Sequence, residues 1–482
     1  MRPHLLPIFL GEDSRLPEGV AEKRLEVRQF SAKPRHNQER IGGIMRSYGD
    51  GVGDGRDRNS GCGWRFLRRV AMGTRHGLAM FALASAFLVA AAAMAGAQTY
   101  SVLYSFAGVP DGADPQAPVT LDTSAGNLYG ITIDGGSGGC QYPGCGTVFE
   151  LTSDGVESVL HSFTGPDGGE PRGSILRDEE GNLFGAAWGG SHGDGVVFEI
   201  NSKNVEKVLY SFKGGSDGDE PSSGLTQDPN TGDFYGLTAS GGAYNGGTLY
   251  KIAATGTHTV LYNFGAPGTA GDGPAGKLVQ DGNTGNLYGM LPLGGLGCGA
   301  VFQFTPAGVE TALYVFTGQH GDGCEPGPGD PGLVMDAQGN LFGTTWIGGN
   351  ANRGVVFEVT AGGVEKVLYE FKGAKKGDGA WPLAGLVLDA GTGNLYGTTE
   401  IGGTGQCYGG REISGCGTIF ELSPPATKHG KWRETILHSL AGGADGLYPQ
   451  AGLIRDAQTG NMYGTAVGGG AYDKGVVFKL TP

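Results

Sequence analysis

Along residues 98–482 the apolar positions come in short bursts separated by polar, glycine-rich gaps. In the fifth such stretch the bursts are 332–336, 340–345, 354–359 and 365–371, named a, b, c and d. They are rich in Val, Leu, Tyr, Phe and Thr and bounded by Gly, Asp and Asn, which predicts short β-strands. No part of this region sustains a helical period.

The bursts repeat. One phrase, G-N-L-Y-G, recurs around Asn127, Asn182, Asp233, Asn286, Asn340, Asn394 and Asn461, at steps of 55, 51, 53, 54, 54 and 67 residues. A period of this size marks an array of supersecondary units that cannot bury their own faces alone. Four strands per unit and seven units predict an all-β fold, a seven-bladed β-propeller of four-stranded antiparallel blades. The ends carry the closing argument. The last copy stops at its strand c, Val476 to Leu480, while the region begins with an isolated strand d, Tyr100 to Phe106. Pairing the N-terminal strand with the last blade completes seven sets and removes two exposed sheet edges. The aromatic of strand b is expected to pack between blades, and the glycine after it to admit a neighbouring sheet. The aromatics of strand c (Phe149, Phe198, Tyr250, Phe302, Phe357, Phe420, Phe478) read as core.

Upstream, the composition changes. Residues 78–94 form an uncharged run preceded by Arg75 and followed by Ala95-Gly96-Ala97. That arrangement predicts a signal peptide over 72–97, cleavage before Gln98, and an upstream extension at 1–71 that takes no part in the fold. The region 98–482 carries 19 Lys and Arg against 39 Asp and Glu, a net charge near −20. So acidic a body argues against nucleic acid and against anionic membranes as partners. Six cysteines lie in it, an even number behind a signal, which predicts disulfides in an oxidising compartment. Cys145, Cys298 and Cys416 share one slot before strand c. Cys140 and Cys407 share loops with Cys145 and Cys416, so the expected pairs are 140–145, 407–416 and 298–324.

The full phrase, GNLYG, then G-G, G-V-V-F and V-L-Y-S-F, resembles the GloVer-type tandem repeat of secreted "choice-of-anchor" bacterial proteins. The resemblance implies an extracytoplasmic repeat protein. Such proteins often end in a surface-sorting segment. Here Pro482 directly follows strand c, so surface anchoring is not carried over.

In an antiparallel a-b-c-d meander the b–c and d–a connections share one face of the ring. These are the long, variable loops, and they form the expected working face. Every d–a loop carries Asp-Gly (Asp111, Asp167, Asp217, Asp272, Asp322, Asp378, Asp445). A ring of carboxylates could collect Ca²⁺, but a repeated Asp-Gly is better explained as a turn in which Asp caps backbone amides. No other cofactor is indicated. His161 and His438 occupy a slot that is Tyr in the other strands d, which marks them as structural. His192 and His320 lie in loops without a partner at metal-ligand or triad spacing.

Candidate ligand-binding residues are aromatic. Trp188 and Trp346 follow strand b, and Trp381 sits in the loop entering blade 6. The longest b–c loops, 135–146 and 402–417, carry Tyr142, Tyr408 and Arg411. In a closed ring they would flank blade 7, with Tyr448, Tyr472 and Asp473. Clustered Tyr with Arg on stiffened loops suits glycan or protein contact. With no catalytic constellation in view, the reading is a secreted, monomeric, non-catalytic binding or scaffold module. The alternative is a polysaccharide lyase or hydrolase on a propeller.

Overall fold

A computed structural model gives the fold. It describes residues 98–482 except 141–142, 268–270, 295–296, 320, 328, 331, 410–411 and 429, with backbone alone at 408–409 and 412–413. The extension and the expected signal peptide lie outside the described residues.

Blade 1 consists of Thr120–Leu121, Leu128–Thr132, Thr147–Leu151 and Glu157–Ser162. Blade 2 follows with Gly169–Arg177, Leu183–Trp188, Val196–Ile200 and Glu206–Ser211. Blade 3 has Thr226–Gln227, Phe234–Ser240, Thr248–Ile252 and His258–Asn263. Blade 4 has Ala275–Gln280, Leu287–Leu291, Ala300–Phe304 and Glu310–Val315. Blade 5 has Val334–Met335, Leu341–Gly348, Val355–Val359 and Glu365–Glu370. Blade 6 has Val387–Leu388, Leu395–Thr399, Thr418–Ser423 and Arg433–Ser439. Blade 7 takes Ile454–Arg455, Met462–Ala466 and Val476–Thr481 from the C-terminal end and Thr99–Ser105 from the other. The last two pair antiparallel, from Thr99 opposite Thr481 to Ser105 opposite Val476, so the ring is closed as the sequence predicts.

Strand c reads as a continuous apolar run because its sheet is sandwiched between two others. Val355, Val356, Phe357 and Val359 are all fully buried. The glycine of strand b has a different task from the one expected. Gly343 lies directly opposite Phe357 on strand c of the same blade, and a methyl group added to it would sit 2.7 Å from the ring's Cζ. The same holds at Gly130 with Phe149 and at Gly397 with Phe420. The glycine makes room for an aromatic that lies across its own sheet, not for a neighbouring sheet.

Each c–d pair carries a bulge at the same place. In blade 1 Val148 pairs with His161 but Phe149 with Val159, leaving Leu160 extra. The leucine of V-L-Y-S-F is therefore the bulged residue, and the extra residue re-aims the Tyr or His after it.

The blades are joined by one repeated seam. In D-G-x-x-P the residue before proline has a left-handed backbone (Asp114, Glu170, Glu220, Glu325, Trp381 and Tyr448, with Gly273 in blade 4). Its N–H donates to the carbonyl that precedes strand c of the previous blade. Trp381 to Arg353 is 2.9 Å, Tyr448 to Cys416 2.8 Å, and across the closure Asp114 to Lys474 3.0 Å. The proline then packs on the glycine that opens that strand c, so a methyl on Gly354 would meet Pro382 Cδ at 2.6 Å.

Candidate binding face

The d–a loops are organised by their Asp-Gly turns. Asp378 accepts N–H bonds from Lys372 (2.8 Å) and Gly379 (2.7 Å) and the Tyr369 hydroxyl (3.0 Å). Asp111 does the same with Ala107, Gly112 and Tyr104. The carboxylate thus caps the turn, as expected. His161 and His438 stand in for tyrosine, with Nε2 3.1 Å from Asp167 and 3.0 Å from Asp445. Asp272 is a correction. Its neighbour Gly273 holds the pre-proline place and Asp272 pairs with Leu293, so it falls two residues past the capping position. In this seam Tyr262 donates to Glu310 instead, at 3.1 Å.

Beside the capping Asp stands a residue at the start of the next blade's strand d. Burial, and then the charge of that Asp, push the carboxyls of Glu157, Glu206, Glu365 and Glu434 up to about 7. His161, Asp167 and Glu206 bring three ligand atoms within 4.8 Å of one another. The equivalent trio at the closure is Tyr104, Asp111 and Glu157, with the hydroxyl 3.4 Å from the glutamate, so this cluster is the histidine form of a structural seam.

A pH effect follows. A carboxyl whose pKa is raised on folding supports the fold below its unfolded value near 4.3, and the support is lost as pH rises through about 7. Replacing Glu365 by Gln is expected to leave Tm almost unchanged at pH 5 and to raise it at pH 8. Calorimetry at both values checks it. An equal shift at both would contradict the assignment.

Two clusters occupy the inner ends of the loops, where the chain turns into strand a. The first joins blades 7, 1 and 2. Asp114 accepts from Gln116 (3.1 Å), and Arg172 reaches Glu170 (3.1 Å) and covers the Trp188 ring at 4.2 Å. Burial, then Asp114 and Glu170, push Asp134 up to about 6.

The second cluster joins blades 5, 6 and 7. Trp346 and Trp381 meet edge to face with centroids 6.0 Å apart, and the Arg353 guanidinium lies 5.9 Å from the Trp381 ring. The Trp381 carbonyl accepts the Glu400 N–H at 3.0 Å, and the Glu400 carboxylate accepts from Gln450 at 2.9 Å. Burial raises the Glu400 pKa. Tyr448 holds the next pre-proline place and feels the charge of Glu400.

The sequence gathers the tyrosines around blade 7 and puts the tryptophans after strand b and in the loop entering blade 6. The fold divides them differently. Trp346 and Trp381 stand together, with Tyr448 at the following seam, while Trp188 belongs to the acidic cluster. Tyr472 is 62 % exposed, and its neighbour Asp473 caps Gly469 at 3.0 Å. Tyr142, Arg411 and His320 lie outside the described residues, and Tyr408 is described as backbone in a small hairpin with Ile413. His192 is exposed and contacts Ser191 and Ser211. Arg172, Arg353, Glu400 and Gln450 were missed. The signal that finds Arg172 and Gln450 was the variable residue just after the proline of D-G-x-x-P.

The expected disulfides are formed: Cys140–Cys145, Cys298–Cys324 and Cys407–Cys416, with Cα separations of 5.7, 4.4 and 5.0 Å. They point to an oxidising, extracytoplasmic environment. Among the described residues no helix is long and apolar enough to cross a membrane.

The model of the Gloeobacter/Verrucomicrobia repeat matches residues 88–231 and 215–410. No curated protein matches the chain in sequence. Among solved structures, virginiamycin B lyase from Staphylococcus aureus is similar at 14 % identity and a TM-score of 0.51, covering 80 % of this chain and 100 % of that one. A streptogramin B lyase gives 13 % and 0.49 over 80 % of this chain and 97 % of its own. The BP39L lectin of Burkholderia pseudomallei gives 9 % and 0.46 over 78 % and 99 %. At these identities the likeness concerns the fold alone.

Proposed function

This chain belongs to the Gloeobacter/Verrucomicrobia repeat family, and from that premise we propose that it is a secreted binding module that engages a glycan through blades 5–7 of its long-loop face. The observation that carries the reading is the Trp346–Trp381 pair. Aromatic faces stack on the apolar face of a sugar ring, and a flanking Glu, Gln and Arg supply hydrogen bonds to its hydroxyls. Trp381 also holds a left-handed backbone with φ of 60°, a conformation that costs a bulky residue of order 1–3 kcal/mol. Bonds at both its N–H and its carbonyl hold it there, so the indole is fixed before any ligand arrives. A rigid platform loses less entropy on binding.

A second reading, cleavage of a polysaccharide, draws on Asp134, whose raised pKa beside Asp114 and Glu170 suits a general acid. One experiment separates the two. The protein is screened on a glycan array, and the hits are incubated and analysed for shorter products. Binding without turnover, weakened about tenfold or more by Trp381→Ala and by Trp346→Ala, is the expected result. Turnover abolished by Asp134→Asn would favour the enzyme. Hits unaffected by either tryptophan change would remove the blade 5–7 site.

A further inference from the structure

Blade 5 breaks the repeat at one point. In the other six blades three residues separate the seam proline from the first apolar residue of strand a, as from Pro382 to Leu386. Between Pro326 and Leu333 there are six. Of these, Gly329 and Asp330 reach inward to other blades. Gly329 N–H donates to Leu383 O of blade 6 at 3.0 Å, and Gly452 N–H of blade 7 donates to Asp330 O at 3.3 Å. The Asp330 carboxylate accepts the N–H of Ser174, in blade 2, at 2.6 Å. Blades 2 and 7 are not neighbours of blade 5, so a residue that touches both from it must lie at the axis of the ring.

Asp330 is 7 % exposed and Ser174 8 %. Asp330 Oδ1 and Ser174 Oγ are both buried without a hydrogen-bond partner. The Asp330 carboxylate and the Ser174 hydroxyl adjoin one point, since a methyl added to Gly224 would lie 2.5 Å from Ser174 Oγ and 3.1 Å from Asp330 Oδ2, the oxygen that accepts the Ser174 N–H. Among the described residues no Lys, Arg or His forms an ion pair with Asp330. A buried carboxylate without a counter-charge is costly, and proteins meet that cost with a paired cation or a metal. A water molecule could satisfy the two oxygens but not the charge.

We infer that the axis of the ring holds a Ca²⁺ ion, bound by the Asp330 carboxylate and the Ser174 hydroxyl. Hard oxygen ligands in an irregular arrangement suit Ca²⁺, whereas Mg²⁺ demands near-octahedral geometry. The ion would tie blade 5 to blade 2 across the centre and fix the inner ends of the loops that carry both clusters.

The test uses the full chain, treated with EDTA and then titrated with Ca²⁺, with Mg²⁺ and Na⁺ as separate arms. Bound metal is counted by elemental analysis and Tm followed in parallel. The expected result is one Ca²⁺ per chain and a Tm rise of about 3 °C or more. Asp330→Asn should lose both, Ser174→Ala should bind more weakly, and Asp154→Asn, in an exposed turn, should keep both. Three outcomes would overturn the site. The ion could persist in Asp330→Asn. Mg²⁺ or Na⁺ could act as well as Ca²⁺. Wild type could bind none while Asp330→Asn melts higher, the behaviour of an uncompensated charge.

Discussion

Deletion of residues 99–106 is expected to leave a protein that aggregates or melts far below the wild type. The segment is the fourth strand of blade 7, paired from Thr99 to Ser105 with Val476–Thr481. Its loss exposes the edge of strand c, a row of unpaired backbone groups on an apolar strand and a template for association. Phe106 is fully buried and packs edge-on to Phe149 at 5.1 Å. Removing one such ring alone costs about 3–5 kcal/mol, set against a total stability of roughly 5–15 kcal/mol. Tyr100 goes with it, stacked on His438 at 3.9 Å and donating to Asp445 O at 2.7 Å. Thermal melting with light scattering reads the outcome. A truncated protein that melts cooperatively at the wild-type temperature would contradict ring closure by this strand.

Gly343→Val should be nearly as damaging, for the opposite physical reason. The added carbon falls 2.7 Å from Phe357 Cζ and 3.0 Å from Leu333 Cδ2, in a core with no room to give. Overpacking of this kind costs about 1–3 kcal/mol or more, and Phe357→Ala about 3–5 kcal/mol. The two changes act on one space, so the double variant should be less destabilised than their sum, by about 1 kcal/mol or more. Gly282, with nothing within 4 Å of an added methyl and no positive φ, is the neutral control for Gly→Ala. Strict additivity of Gly343→Val and Phe357→Ala in denaturant titrations would show that the glycine serves some other contact.

The same pairs show what was legible from residues alone. A strand glycine repeated seven times announces a close approach, and an aromatic repeated on strand c announces a core position. That the two are partners depends on register, which their spacing does not specify. The bulge at Leu160 and its counterparts was hidden for a related reason. V-L-Y-S-F satisfies a plain strand as well as a bulged one, and pairing with strand c decides between them.

The chain of residues was enough to determine the seven blades, the split last blade and the three disulfides. Each is a matter of order along the chain: a period, an overhang at one end matched by a gap at the other, and cysteines sharing equivalent loops. What tertiary structure alone decided lies between blades. D-G-x-x-P reads locally as a turn, yet its pre-proline N–H is the bond that fastens each blade to the one before. Trp381 and Tyr448, 67 residues apart in sequence, take consecutive seam positions because a ring brings equivalent points of successive repeats together. Likewise the extra length after Pro326 is visible as an anomaly, but only closure of the ring brings Asp330 to a centre. Hydrophobic periodicity reports which faces of a strand are buried, whereas contacts between repeats are set by the rotation from blade to blade, and that rotation is a property of the closed ring.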